Sequence, residues 1–148
     1  DMLKMNARKQ NVTMKLCGKP CTVYADRQLM EELLYNLCDN AIRYNNRGGS
    51  VTVTVDEKDG HVFLSIRDTG IGIPTEHQDR VFERFYRVDK SRSKATGGTG
   101  LGLAIVKHIV AQHGASISLE SQAGKGTEIR VEFSDVLKRQ MEERAENA

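Results

Sequence analysis

The sequence predicts an α/β (α+β) protein, a two-layer sandwich of a mixed sheet with helices on one face. Three observations predict this fold class. Short segments that alternate apolar and polar residues, as strands do, recur along the chain. Two longer segments repeat apolar residues every three or four positions, as amphipathic helices do. The two patterns are interspersed, and 148 residues suffice for one domain with a sizeable core.

The first half of the chain contains the clearest helix signal. Asp26 is a candidate N-cap, and apolar residues follow at helical spacing from Leu29 to Ile42. Asparagines and glycines at residues 45–49 end this helix. The strands that we expect around it are residues 12–16, 21–24, 50–55 and 61–67, the last two forming a hairpin around Asp59-Gly60.

The second half of the chain contains a second long helix, at residues 101–112, which Gly114 ends. Short helical turns suit residues 75–85, and a mobile loop suits the basic, glycine-rich residues 87–100. Two final strands, residues 116–120 and 127–133, flank a glycine-rich turn. We therefore divide the chain into residues 1–10, which precede the domain; residues 11–134, the domain; and residues 135–148, a charged tail.

Composition and charge exclude several classes of protein. A hydrophobic fraction of 39% and a charged fraction of 28% are typical of a soluble globular domain. A net charge of +2 gives no reason to expect a nucleic acid as partner, and no run of about 18 apolar residues is present. Cys17, Cys21 and Cys38 lack the second pair of ligands that a zinc site needs, so we expect reduced core residues.

Residues 68–74 join a carboxylate to two glycines directly after a predicted strand. Asp68 can accept a hydrogen bond from an exocyclic amine, while Gly70 and Gly72 let a flat ring approach the backbone of this stretch, which includes Ile73. The pattern favours recognition of a purine. An ordinary turn is the alternative, because Asp-Thr-Gly also suits one.

A polar line runs along the first long helix. Asn36 and Asn40 are four residues apart and therefore project on the same side. Amide oxygens are suitable ligands for Mg²⁺, which takes few protein ligands together with phosphate oxygens. Arg43 could neutralise phosphate charge. The alternative is a solvated helix flank.

A glycine-rich segment, residues 97–103, leads directly into the second long helix. Backbone N–H groups at a helix N-terminus bind anions, although a flexible hinge is the alternative. The spacing does not match a Walker A loop or a dinucleotide fingerprint. Upstream of it, Phe82 and Phe85 are expected to pack, and Arg84 and Arg87 either face a polyphosphate or carry solvated surface charge.

Taken in order, these segments resemble the catalytic and ATP-binding domain of sensor histidine kinases, in the GHKL ATPase superfamily. Residues 36–44 are similar to its N box and residues 68–72 to its G1 box. Residues 82–87 are similar to its F box and residues 98–103 to its G2 box. Residues 124–127 are similar to the last glycine motif, so that the resemblance covers about residues 11–133.

The resemblance implies a Bergerat-type ATP-binding fold with ATP and Mg²⁺ as cofactors. It implies a protein-histidine kinase that places the γ-phosphate for transfer to a histidine on a dimerisation segment absent from this chain. By resemblance, Asn40 binds Mg²⁺ and Asn36 supports the same polar edge, while Arg84 and Arg87 assist near the γ-phosphate. The implied nucleotide-binding residues are Asn40, Arg43, Tyr44, Asp68, Gly70, Gly72, Ile73, Gly98, Thr99, Gly100, Leu101, Gly102, Leu103 and Thr127.

The resemblance also implies that residues 1–10 are the remnant of a preceding dimerisation helix or linker, and it implies partners and a location. The partners are the dimerisation segment and the receiver domain of a response regulator, and the parent protein is anchored in a bacterial membrane while this domain lies in the cytoplasm. Two departures are the arginine at position 43, where many relatives have lysine, and the lack of a phosphoacceptor-type segment. The alternatives are a GHKL ATPase, with Glu32 as its only candidate catalytic glutamate, and a regulatory module such as an anti-sigma-type serine kinase or a degenerate kinase.

Overall fold

The computed structural model describes residues 2–86, 101–134 and 146. It confirms the predicted fold class. A short 3₁₀ helix, Thr75–His77, follows the third strand. The helices are α1 (Met2–Gln10), α2 (Arg27–Arg43) and α3 (Gly102–Gln112), and the strands are β1 (Thr13–Gly18), β2 (Ser50–Lys58), β3 (His61–Asp68), β4 (Ser116–Gln122) and β5 (Gly126–Phe133).

The five strands form one mixed sheet in the order β1-β2-β3-β5-β4. Strand β1 pairs in parallel with β2, and the other three pairs are antiparallel. Because side chains alternate along a strand, one face of the sheet is apolar and the other is polar. Val53, Ile66 and Ile129 are cross-strand neighbours on the apolar face, and all three are buried.

The helices cover the apolar face of this sheet. Leu33 and Leu37 of α2 and Val106 of α3 are each at most 1% exposed and join the strand residues in a single core. Asp26 caps α2 as expected, since its Oδ1 accepts a hydrogen bond from the Leu29 N–H at 3.0 Å. Helix α1 contributes the buried Ala7 to the same core.

The prediction of a strand at residues 21–24 was wrong, because this segment has no regular secondary structure. Strand β1 runs to Gly18 instead, and Pro20, which has no N–H to donate to a ladder, follows it. The expectation of core cysteines holds for Cys38, whose burial raises its pKa to about 11, but Cys17 is exposed. The predicted loop at 87–100 and, apart from residue 146, the predicted tail lie outside the described residues.

Within the described ranges, no helix has both the length and the apolar character needed to cross a bilayer.

Candidate functional site

Four neighbouring strands bring a row of side chains together at one end of the sheet. Asp68, the last residue of β3, lies opposite Val51 of β2 and Thr127 of β5, and Thr127 lies opposite Ser121 of β4. All four residues face the helices, because Val51 is fully buried on that side and side chains opposite each other share a face. The apolar face of the sheet therefore ends in three polar groups.

The Asp68 carboxylate is held by backbone N–H groups. Its Oδ1 accepts hydrogen bonds from the N–H of Gly70 at 2.8 Å and from the N–H of Thr127 at 3.2 Å. Burial raises the pKa of Asp68 to about 6, and the two hydrogen bonds oppose this rise only in part. At neutral pH the site therefore contains a desolvated carboxylate, which is suited to accept a hydrogen bond from a ligand.

The loop after Asp68 packs against two other parts of the chain. The Ile71 N–H donates to the Tyr44 carbonyl at 3.1 Å, and the Gly124 N–H donates to the Ile71 carbonyl at 2.7 Å. The Gln78 side chain donates to the carbonyl oxygens of Ile73 and Ser121 at 2.9 and 3.1 Å. These bonds fix residues 70–73 between the end of α2 and the β4–β5 turn.

Two residues of this site were missed in the sequence analysis. Ser121 accepts a hydrogen bond from the Ile73 N–H at 2.8 Å. A hairpin register centred on Gly124 would have placed it opposite Thr127. Asn45, which we had read as part of a helix stop, is fully buried and donates to the Ser50 carbonyl at 2.9 Å. Its Oδ1 accepts a hydrogen bond from the Thr69 hydroxyl at 3.3 Å, which connects the residue next to Asp68 to the segment that follows α2.

The polar line of α2 runs towards the end of the helix, where the Tyr44 carbonyl accepts a hydrogen bond from the loop after Asp68. Asn36 and Asn40 are both half-buried, and the Asn36 amide donates to the Glu32 carbonyl at 2.8 Å. Arg43 donates to Asp39 at 2.7 Å, so that its guanidinium is held along the helix. Glu32, the alternative catalytic glutamate, is an exposed residue.

The start of α3 lies against α2 at Asn36. A Cβ atom added to Gly102 would be 3.3 Å from the Asn36 Oδ1. Leu101 precedes the helix as its N-cap, and Leu103 packs against the core. The first turn of α3 is thus next to the amide line of α2. The predicted binding residues Gly98, Thr99 and Gly100 lie outside the described residues.

The predicted packing of Phe85 was wrong. This side chain is 68% exposed, and its backbone has a φ of 64°, a conformation rare for a residue with a side chain. Residues 81–86 form turns and bends with no regular element, and Phe82 is half-buried. Arg84 is exposed, and Arg87 lies outside the described residues.

The chain belongs to the family described as Histidine kinase-, DNA gyrase B-, and HSP90-like ATPase, whose model matches residues 25–136. It is 46% identical over 127 residues to the sensor histidine kinase YkoH of Bacillus subtilis (strain 168), covering 86% of this chain and 28% of that protein. It is 44% identical over 133 residues to the sensor protein SrrB of Staphylococcus aureus (strain MRSA252), covering 86% of this chain and 23% of that protein. The chain thus spans about a quarter of the length of these curated relatives.

Solved structures of related proteins have the same fold. The mycobacterial sensor histidine kinase MprB superposes with a TM-score of 0.75 at 31% identity, covering 88% of this chain and 89% of that chain. Full-length ShkA in complex with AMPPNP superposes with a TM-score of 0.75 at 30% identity, covering 89% of this chain and 27% of that one. The match to ATP-binding kinase domains supports the identification of this chain as an ATP-binding domain.

Proposed function

We propose that this chain is the catalytic domain of a two-component sensor histidine kinase and positions the γ-phosphate of Mg-ATP for transfer to a histidine on another segment of the parent protein. The observation that carries this proposal is the row of Asp68, Thr127 and Ser121 at the end of the sheet, where the loop after Asp68 contacts the end of the helix that carries the amide line. The row of residues provides an acceptor for an amine, and the amide line of α2 provides ligands for a cation that is bound to phosphates. The receiver domain of a response regulator is the proposed acceptor of the phosphate after the histidine.

The residues at the end of the sheet fit the adenine base. Asp68 Oδ1 is occupied by two N–H groups, and among the described residues no hydrogen-bond donor is paired with its Oδ2. That oxygen is therefore suited to accept a hydrogen bond from the exocyclic amine of adenine. A Cβ atom added to Gly70 would be 3.0 Å from the Asp68 Oδ1 and would overlap the Tyr44 carbonyl oxygen, so glycine is needed for the loop to pack this closely beside the carboxylate.

The residues of α2 fit a magnesium ion that is bound mainly through phosphate. Among the described residues, no group of three or more His, Cys, Asp and Glu side chains could hold a metal by itself. Mg²⁺ commonly keeps most of its ligands as water and phosphate oxygen, so one amide oxygen from Asn40 is a sufficient protein contribution. When bound, the ion would neutralise charge on the phosphates.

The residues of this domain would act on the transfer mainly by positioning and charge neutralisation. Asp68 would fix the base, and Asn36 and the N–H groups at the start of α3 would border the phosphates. Arg43, Arg84 and Arg87 are the proposed cationic groups near them. The nucleophilic histidine and the base beside it would come from the dimerisation segment, with the parent protein anchored in a bacterial membrane.

A reconstituted transfer reaction tests this function. We expect phosphate from ATP to appear on a separately produced dimerisation segment of the same parent protein when the segment is mixed with this chain and Mg-ATP. The bound phosphate should be labile in acid and stable in base, and a segment with its phosphoacceptor histidine replaced by glutamine is the control. Steady hydrolysis of ATP with no phosphorylated segment would contradict a kinase and favour an ATPase.

Replacement of the proposed magnesium ligand should separate metal-dependent from metal-independent binding. We expect Asn40→Ala to weaken ATP binding by about 10- to 100-fold in the presence of Mg²⁺ and much less in its absence, because only the metal-bridged contact is lost. Calorimetric titration with and without Mg²⁺ measures the difference. Gln28→Ala, which removes an exposed amide from the same helix, is the matched control and should bind ATP like the wild type.

A further inference from the structure

The hydroxyl of Ser121 is a junction of three hydrogen bonds. Its Oγ lies 2.8 Å from the Ile73 N, 3.0 Å from the Gly126 carbonyl oxygen and 2.8 Å from the Thr127 Oγ1. The residue is partly buried and lies on the face of β4 that is turned towards the helices.

The chemistry of the three partners fixes which atom donates in each bond. A hydroxyl group has one proton to donate and two lone pairs to accept with. The Ile73 N–H can only donate, and it takes one lone pair of Ser121. The Gly126 carbonyl can only accept, and it takes the Ser121 proton. The remaining lone pair of Ser121 is then free to accept the proton of the Thr127 hydroxyl.

With the protons arranged in this way, the Thr127 hydroxyl can only accept a hydrogen bond from a ligand. Its hydroxyl proton is used by Ser121, and its backbone N–H is used by Asp68 Oδ1 at 3.2 Å. The neighbouring carboxylate is itself an acceptor when ionised. Among the described residues of this row, Asp68 and Thr127 therefore offer a ligand lone pairs and no side-chain proton.

We propose that Ser121 is a specificity-determining positioning residue, which makes this end of the site select a purine carrying an amino group over one carrying a carbonyl oxygen at the same ring position. An amino group has two protons to share with the acceptors, whereas a carbonyl oxygen would face them with lone pairs on both sides. The inference rests on the proposed function, because it takes a purine nucleotide as the ligand of Asp68.

The test compares the affinities of Mg-ATP and Mg-ITP, which differ in that one ring substituent. The wild-type chain should bind ATP more tightly than ITP at pH 8. In Ser121→Ala the Thr127 hydroxyl is free to rotate and to donate a proton to the carbonyl oxygen of ITP. We expect the ratio of the two affinities to narrow by about 5- to 10-fold, measured by calorimetry on the whole chain.

Three further variants separate this effect from a loss of structure. Ser121→Thr keeps the hydroxyl and should keep the wild-type ratio, and Ser118→Ala, an exposed serine on the opposite face of β4, should do the same. Ser121→Cys nearly preserves the shape of the side chain but bonds weakly, so it should narrow the ratio even where Ser121→Ala fails to fold.

Equal losses of affinity for ATP and ITP in Ser121→Ala and Ser121→Cys would overturn the inference, because replacing a serine with a merely structural role would lower the affinities for both nucleotides alike. A wild-type chain that binds ATP in preference to ITP would leave the proposed function standing in that case. A wild-type chain that binds neither nucleotide would overturn the proposed function and this inference with it.

Discussion

Replacement of Asp68 by asparagine should change ligand binding and stability in opposite directions. The Asp68→Asn side chain keeps its size but loses the charge that would accept the amine of the base. We expect ATP to bind between about 10-fold and about 150-fold more weakly, which corresponds to the usual contribution of a hydrogen bond to a charged group. The same change should make the folded domain more stable at neutral pH.

The expected gain in stability follows from the pKa of Asp68. Burial raises this pKa from 3.8 to about 6 in the folded protein, so the folded state holds its proton more tightly than the unfolded state does. This contribution is fully present below about pH 4 and is lost as the pH rises through 6. At pH 7.5 the ionised carboxylate should cost up to about 3 kcal/mol, a cost that the neutral asparagine avoids.

Urea unfolding measured from pH 4 to pH 8 checks this expectation, with calorimetry for ATP on the same samples. The difference in free energy of unfolding between Asp68→Asn and the wild type should grow between pH 4 and pH 7 and then level off. Asp79→Asn, which neutralises an exposed carboxylate, should leave ATP affinity near that of the wild type. Wild-type ATP affinity in Asp68→Asn would contradict the assignment of the site.

Most of the fold could be predicted because its signals are local. The N-cap at Asp26, the apolar spacing along α2 and the turn at Asp59-Gly60 each specify one element, and the structure has all three. Both central residues of that turn have positive φ, at 53° and 80°. Such features depend on neighbours in sequence and need no knowledge of the tertiary structure.

The residues that support the site could not be predicted in the same way. Asn45 has the composition of a helix stop, and only the approach of Thr69 and Ser50 makes it a buried junction. Phe85 was expected in a core because aromatic residues are usually buried, and its exposure depends on turns with no strong sequence signal. These roles arise from contacts between distant segments.

The close approach of two such segments explains the second large effect that we expect, from Gly70→Ala. A Cβ atom at this position would overlap the Tyr44 carbonyl oxygen and lie 3.0 Å from the Asn45 Cα. Both neighbours are backbone atoms, which cannot rotate away as the end of a side chain can. The loop would have to separate from the end of α2, and the Ile71 N–H bond to Tyr44 would be lost with it.

We therefore expect Gly70→Ala to lower the free energy of unfolding by about 3 kcal/mol, and the midpoint of thermal unfolding by about 10 °C, through overpacking. ATP binding should fall as well, because Gly70 also donates to the Asp68 carboxylate. Gly124→Ala is the matched control: its φ is 81°, but a Cβ there meets no atom within 4 Å, so only the cost of the backbone conformation, about 1 kcal/mol, should appear. Equal losses of stability in the two variants would show that the space beside Tyr44 is not what requires glycine at position 70.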